Sequence, residues 1–139
     1  MLTRTIRTNF WEDEKVEPLS KDATLLFAYC ITNHKIGHTG IYAISDFTIK
    51  VRTKLTTEEL EKAKGELAGI KRVFFYSGWV FVVNAQKFKM YTGAKNEIAS
   101  NKELEAVPED IKIYFHSLST SYPQVYTQGV KQQNEVPKQ

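Results

Sequence analysis

Apolar positions along the chain change period between a helical and an alternating pattern, and these changes mark out its elements. Ala23, Leu26, Phe27, Cys30 and Ile31 recur at helix spacing and give one buried stripe. Ser20 stands in front of them as a good N-cap, and Asp22 puts an acid in the first turn, where the helix dipole favours it. A helix is therefore predicted over about 20–33, ended by the loop of Asn33, Gly37 and Gly40. The segment 40–44, Gly-Ile-Tyr-Ala-Ile, is short and β-prone. Ser45 caps a second short helix over 46–53, with Phe47, Thr48 and Val51 expected to face inward. Leu55 is a natural buried turn residue. Thr56 and Glu59 have the spacing of a capping box, and the third helix, about 57–68, buries Leu60, Ala63 and Leu67. Gly65 weakens it by roughly 1 kcal/mol relative to Ala, and Gly69 suits the position just past its end.

The period then switches to that of strands. Residues 72–83, RVFFYSGWVFVV, are two apolar runs around Ser77-Gly78. Gly adopts positive φ without steric penalty, so a tight hairpin is predicted, with Tyr76 opposite Trp79, Phe75 opposite Val80, Phe74 opposite Phe81 and Val73 opposite Val82. One face carries Val73, Phe75, Val80 and Val82. The other carries Arg72, Phe74, Tyr76, Trp79, Phe81 and Val83. Both faces are apolar, and a lone hairpin is marginal in water, so other elements must cover it.

Beyond the hairpin, residues 84–90 are basic and mixed, and 91–105 read as a weakly amphipathic helix with Ala94, Ile98 and Leu104 inward. Pro108 suits the first position of a further helix, whose stripe is Ile111, Tyr114, Phe115 and Leu118. Residues 119–139 are Ser, Thr, Gln, Pro and Lys with isolated tyrosines, the composition of a flexible tail or linker. Residues 1–18 look extended, with a short strand permitted at Leu2, Arg4 and Ile6, and Phe10-Trp11 as an apolar anchor. The fold class expected is α+β, mainly α. Helix, short strand, helix, short turn, helix and hairpin follow in the order of a winged helix-turn-helix, with the hairpin as wing and two added C-terminal helices. Residues 1–118 would be one domain.

Composition adds a few exclusions. At 139 residues, with 42% hydrophobic and 12% aromatic content, the chain has material for one domain with a real core. The net charge of +3 is too mild to announce nucleic acid. Its distribution says more: residues 70–90 hold Lys71, Arg72, Lys87 and Lys89 and no acid, whereas 11–20 hold Glu12, Asp13, Glu14 and Glu17 against Lys15. The single cysteine, Cys30, excludes an internal disulfide and fits a reducing cytosol. The first ten residues lack the apolar region of a signal peptide, and no apolar run approaches the ~18–20 residues of a membrane span. A cytoplasmic protein with no membrane association is expected.

The run FWEDEKVEPLSKDATLLFAYCITN, with TGIYAIS, LTTEELEKAKGEL and GWVFVVNAQKF after it, resembles the N-terminal winged-helix domain of phage replisome organisers and DnaD-type primosome proteins. The resemblance covers about residues 6–118. Its most specific pieces are Phe10-Trp11, Thr32-Asn33 with Gly40-Ile41-Tyr42, and Gly78-Trp79-Val80 with Val83-Asn84. It implies a role in starting DNA replication: DNA binding, self-association as a homo-oligomer, and recruitment of a helicase loader or other primosome protein. Such proteins usually carry a further C-terminal domain. Three departures stand out. Lys54 occupies a turn position where the family commonly carries Gly. Lys64 stands where the pattern favours an apolar residue. The third helix carries Glu58, Glu59, Glu61 and Glu66 against Lys62 and Lys64, which repels phosphates rather than attracting them.

Candidate DNA contacts are Thr57 and Lys62 on the third helix, with Gly65 beside them. Lys50, Arg52 and Lys54 flank that helix, and Lys71, Arg72, Lys87 and Lys89 flank the hairpin. Tyr76 or Trp79 at its tip could touch sugar or bases. The bland alternative is solvated cations and a turn-stabilising Tyr–Trp pair. Phe74, Trp79 and Phe81 are candidates for self-association, unless Phe10-Trp11 or the 111–118 helix of the same chain covers them. Cys30, His34 and His38 are four apart, but Asn33 and Gly37 break the helix that would align them and a fourth ligand is missing, so no metal is expected. His116 reads as a helix-surface residue, and Asp46, Glu58 and Glu59 as caps and first-turn acids. No GxxxxGK[ST], GxSxG or HExxH motif occurs, so neither an enzyme nor a cofactor is expected. The alternatives to a replication accessory are a winged-helix transcription regulator and a protein-interaction module without DNA binding.

Overall fold

A computed structural model describes residues 3–85, 94–119 and 121–123. After a turn of 3-10 helix at Thr8–Phe10, the elements are α1 (Lys21–Thr32), β1 (Ile41–Ala43), α2 (Asp46–Thr53), α3 (Thr57–Gly69), β2 (Val73–Tyr76), β3 (Trp79–Val82), α4 (Ala94–Glu105) and α5 (Glu109–Leu118). Among the described residues the fold is α+β and mainly helical, with one antiparallel sheet in the order β1-β3-β2.

The predicted caps form as the sequence requires. Ser20 Oγ accepts from the Ala23 N–H at 3.1 Å, and Ser45 Oγ from the Thr48 N–H at 3.1 Å. Thr56 and Glu59 close a complete capping box. Ser20 is itself held by α3: its N–H and O–H donate to the Glu66 carboxylate at 3.0 and 2.6 Å. Lys54 ends α2 at φ 68°, so it does occupy the left-handed position of the turn to α3.

The hairpin has the expected register, with Tyr76 opposite Trp79 and Val73 opposite Val82. Ser77 (φ 51°) and Gly78 (φ 82°) both lie in the left-handed region, as a type I′ turn demands. β1 pairs on the other side of β3, so the hairpin is two-thirds of a sheet with a core on each face. On one face Val73, Val80 and Val82 meet Leu26, Phe27 and Ile31 of α1 and Leu60 and Leu67 of α3. Phe10 seals this core beside Phe27, their rings 5.1 Å apart. On the other face Ile41, Phe74, Phe81 and Val83 meet Leu104, Val107, Ile111, Phe115 and Tyr122.

Several expectations need correction. Phe74 and Phe81 are not free for self-association, because α5 of the same chain buries them, and Trp79 packs half-buried against the same core. The inward residues of α2 are Ile49 and Thr53, not Phe47 and Val51, which are exposed, nor Thr48, which is half-buried. Ile49 and Thr53 are four apart, and the Thr53 hydroxyl donates to the Ile49 carbonyl at 2.7 Å, so it enters the core satisfied. Gly69 is the last residue of α3 rather than the residue past it, and Lys71, at φ 60°, takes the left-handed position. Pro108 is the N-cap of α5, not its first turn, and Ile98 is exposed. Residues 3–7 form no strand. The proposed tail begins inside the domain: Tyr122 is 6% exposed, its ring 5.6 Å from that of Phe81. Residues 86–93 and 124–139, with Lys87, Lys89 and the start of the helix predicted from 91, lie outside the described residues.

Candidate nucleic-acid interface

The predicted DNA contacts separate into three groups. Lys50, Arg52, Lys54 and Thr57 come together at the end of α2 and the start of α3. Lys50 Nζ donates to Thr57 Oγ1 at 2.8 Å, and Lys54 Nζ to the Val51 carbonyl at 3.0 Å. Arg52, Lys54 and Thr57 are exposed. Cations in the last turn of α2 also complement its dipole, which is the structural reason they are tolerated so close together.

In the hairpin group, two of the described side chains already have partners within the chain. Arg72 is already paired: its guanidinium grips Asp13 in two ion-paired contacts, Nη1 to Oδ2 at 3.0 Å and Nη2 to Oδ1 at 3.1 Å. Burial pushes the Asp13 carboxyl up, but the Lys15 N–H and the Arg72 charge outweigh it and hold the group below the ordinary aspartate range. Tyr76 stacks on Tyr114 of α5, centroids 3.9 Å apart and planes at 12°, so one ring face is already occupied. Lys71 alone among the described cations of this group remains exposed.

On α3 three of the four acids have structural work. Glu59 closes the cap, and Glu66 holds Ser20, whose O–H and N–H lower the Glu66 pKa. Asp46 and Glu61 hold Lys64 Nζ at 2.9 and 3.2 Å, and that ammonium lies 5.3 Å from the centre of the Phe75 ring. This explains a lysine at a position where an apolar residue was expected: its stem packs and its charge is paired. Glu58 and Lys62 project to solvent. The groove between α3 and the hairpin, about 660 Å³, is lined by Asp46, Glu61, Lys64, Phe75, Tyr76 and Tyr114. Two carboxylates and one paired ammonium do not attract a phosphate chain there.

A second groove, about 510 Å³, lies on the other side of α2, lined by His34, Lys35, Ala43, Ile44, Ser45, Thr48, Arg52 and Gly78. It holds cationic groups and no carboxylate. His34 and Lys35 were not foreseen here, because only the return of the chain through β1 brings their loop beside α2. That loop is firmly held. Tyr42 Oη donates to the Cys30 carbonyl at 2.8 Å and accepts from Asn33 Nδ2 at 2.9 Å. Asn33 Oδ1 in turn accepts from the Lys35 N–H at 2.8 Å. From α4, the Glu103 carboxylate accepts from the His38 N–H, the Thr39 N–H and the Thr39 hydroxyl at 2.8–2.9 Å.

Cys30 lies in the first core, and burial pushes its thiol up to about 12. The thiolate is the reactive form. Native protein is therefore expected to leave Cys30 unmodified by Ellman's reagent at mildly alkaline pH, and denatured protein to release its single thiol. Rapid reaction of the native chain would place the thiol outside the core. Among the described residues, no cluster of His, Cys, Asp and Glu is arranged to hold a metal ion, and no helix is long and apolar enough to cross a membrane.

Comparison of the chain with protein-family models, curated proteins and solved structures finds no match.

Proposed function

We propose that this chain is a non-enzymatic DNA-binding accessory of replication initiation, built as a winged helix that grips the phosphate backbone along α2 rather than reading bases with α3. The observation that carries this reading is the collection of Lys50, Arg52 and Lys54 on α2 and its closing turn. Arg52 stands in a groove whose lining includes His34 and Lys35 and no acid, and Lys50 stands on the α3 side, bonded to Thr57. The order of helix, strand, two helices and hairpin, with the β1-β3-β2 sheet, supports the winged-helix reading. The replication role rests on the resemblance to replisome organisers, as does recruitment of a helicase loader. Self-association, if it accompanies this role, uses a surface other than Phe74 and Phe81.

A second reading, a protein-interaction module without DNA binding, is favoured by Glu58 and Glu61 on α3 and by the acidic, aromatic groove beside it. Base readout by a transcription regulator is disfavoured by the same acids. Fluorescence anisotropy on a short duplex of arbitrary sequence separates the readings. The native chain is expected to bind at low salt, and the variant carrying Lys50→Gln, Arg52→Gln and Lys54→Gln to bind at least about tenfold more weakly. A native chain that does not bind at low salt would leave the interaction module.

A further inference from the structure

The outer face of α2 carries a feature that backbone binding does not use. Phe47 is 72% exposed and Val51 47% exposed, although both are large and apolar. They are four apart and therefore form one ridge along the helix. With Ile49 and Thr53 facing the core, a helix of 3.6 residues per turn points Phe47 and Val51 directly away from it. The same geometry places Asp46, paired with Lys64, and Lys50 along the α3 side of the ridge and Arg52 on the opposite side, beside the basic groove, while Lys54, in the left-handed turn that closes α2, stands at the ridge's end. An exposed ridge with an aromatic ring, flanked by Lys50 on one side and Arg52 on the other with Lys54 at its end, matches a partner with flat apolar groups and closely spaced anions.

We propose that this ridge is a stacking platform for single-stranded nucleic acid, with Phe47 against an unpaired base and Lys50, Arg52 and Lys54 on the flanking phosphates. The inference rests on the DNA-binding reading above and narrows its substrate. In a duplex the base faces are stacked on one another, so a phenyl ring presented from a convex helix has nothing to stack on. In a single strand every base offers a face, and aromatic stacking adds to backbone attraction. An acidic peptide would satisfy the cations but gives the ring no flat partner.

The test compares labelled oligothymidylate with a duplex of the same length at one salt concentration. The native chain, Phe47→Ala, Phe47→Leu, Phe47→Trp and the triple Gln variant are measured. Because Phe47 is exposed, its variants are expected to keep the native Tm. Phe47→Ala and Phe47→Leu should weaken oligothymidylate binding by about 5- to 100-fold and duplex binding by less than about twofold, while Phe47→Trp retains both. Several outcomes would overturn the proposal. One is Phe47→Ala binding oligothymidylate as the native chain does. Another is equal losses on the two substrates. A third is polyglutamate binding that depends on Phe47 when oligothymidylate binding does not, and a fourth is a concentration-dependent mass abolished by Phe47→Ala. A triple Gln variant that weakens neither substrate would instead remove the DNA-binding reading itself. If the triple variant weakens both and the Phe47 variants weaken neither, the stacking platform alone fails.

Discussion

Replacing Phe115 by Ala is expected to lower the unfolding free energy by about 3–5 kcal/mol, enough to consume much of the stability of a domain this size. Phe115 is fully buried, at 0% exposed. Its ring centre lies 5.5 Å from that of Phe81 and 5.9 Å from that of Tyr114, so truncation opens a cavity against the aromatic face of the sheet. The surroundings cannot easily collapse into it, because Phe74 and Phe81 are fixed by strand pairing and Tyr122 closes the far side. Urea unfolding followed by circular dichroism measures the effect. Ile113→Ala, on the exposed face of the same helix, serves as the control and should change stability by less than about 0.5 kcal/mol. A loss below about 1 kcal/mol for Phe115→Ala would mean that α5 does not cover the sheet. The aromatic face of the hairpin would then again be available to a partner.

The second large effect is at Gly40, which leads into β1. Its φ is +83°, and an added Cβ would meet the Ala85 Cβ at 2.6 Å and the Val82 carbonyl oxygen at 2.7 Å. The Val82 N–H also donates to the Gly40 carbonyl at 2.8 Å, so the backbone cannot move away without breaking that link. Gly40→Ala combines left-handed strain of about 1–2 kcal/mol with overpacking of about 1–3 kcal/mol, and a loss of about 2–5 kcal/mol is expected. Gly65→Ala is the informative contrast. Gly65 lies inside α3 with nothing within 4 Å of the added methyl, so this change should stabilise by about 0.5–1 kcal/mol. Thermal unfolding of the two variants side by side gives opposite signs of shift; the same sign for both would contradict the packing described around β1.

The elements that could be read from the sequence were those defined locally. Ser77-Gly78 between apolar runs fixes the hairpin register, because a two-residue turn leaves one pairing. Ser20, Ser45 and the Thr56–Glu59 pair start their helices within one turn of themselves. The inward face of α2 was misjudged because eight residues hold about two turns, and Phe47 and Val51 outweigh Ile49 in hydrophobicity alone. Which way that helix faces is decided by Ile49 and Leu55 meeting the first core, a tertiary fact. The cover on the hairpin was left between two ends of the chain for the same reason: the stripe on α5 is periodic, but periodicity does not say what it packs against. Arg72 looked like a free cation because Asp13, its partner, lies 59 residues away. At the candidate site, Lys50, Arg52 and Lys54 were visible as cations near a turn. Lys35 and His34 were not, since their neighbourhood with Arg52 exists only after β1 has folded back.

The fold therefore presents an unexpected division of surfaces. The groove between α3 and the hairpin is acidic and aromatic, while the cations gather along α2. Any anionic strand this domain holds should run across α2. The salt dependence of duplex binding tests that most directly. The logarithm of the binding constant is measured against the logarithm of salt concentration for the native chain and for the variant with Lys50, Arg52 and Lys54 changed to Gln. Each phosphate contact contributes a slope of about −0.9, so the variant's slope should be shallower by roughly 2 to 3. Equal slopes for the two proteins would contradict phosphate contact along α2.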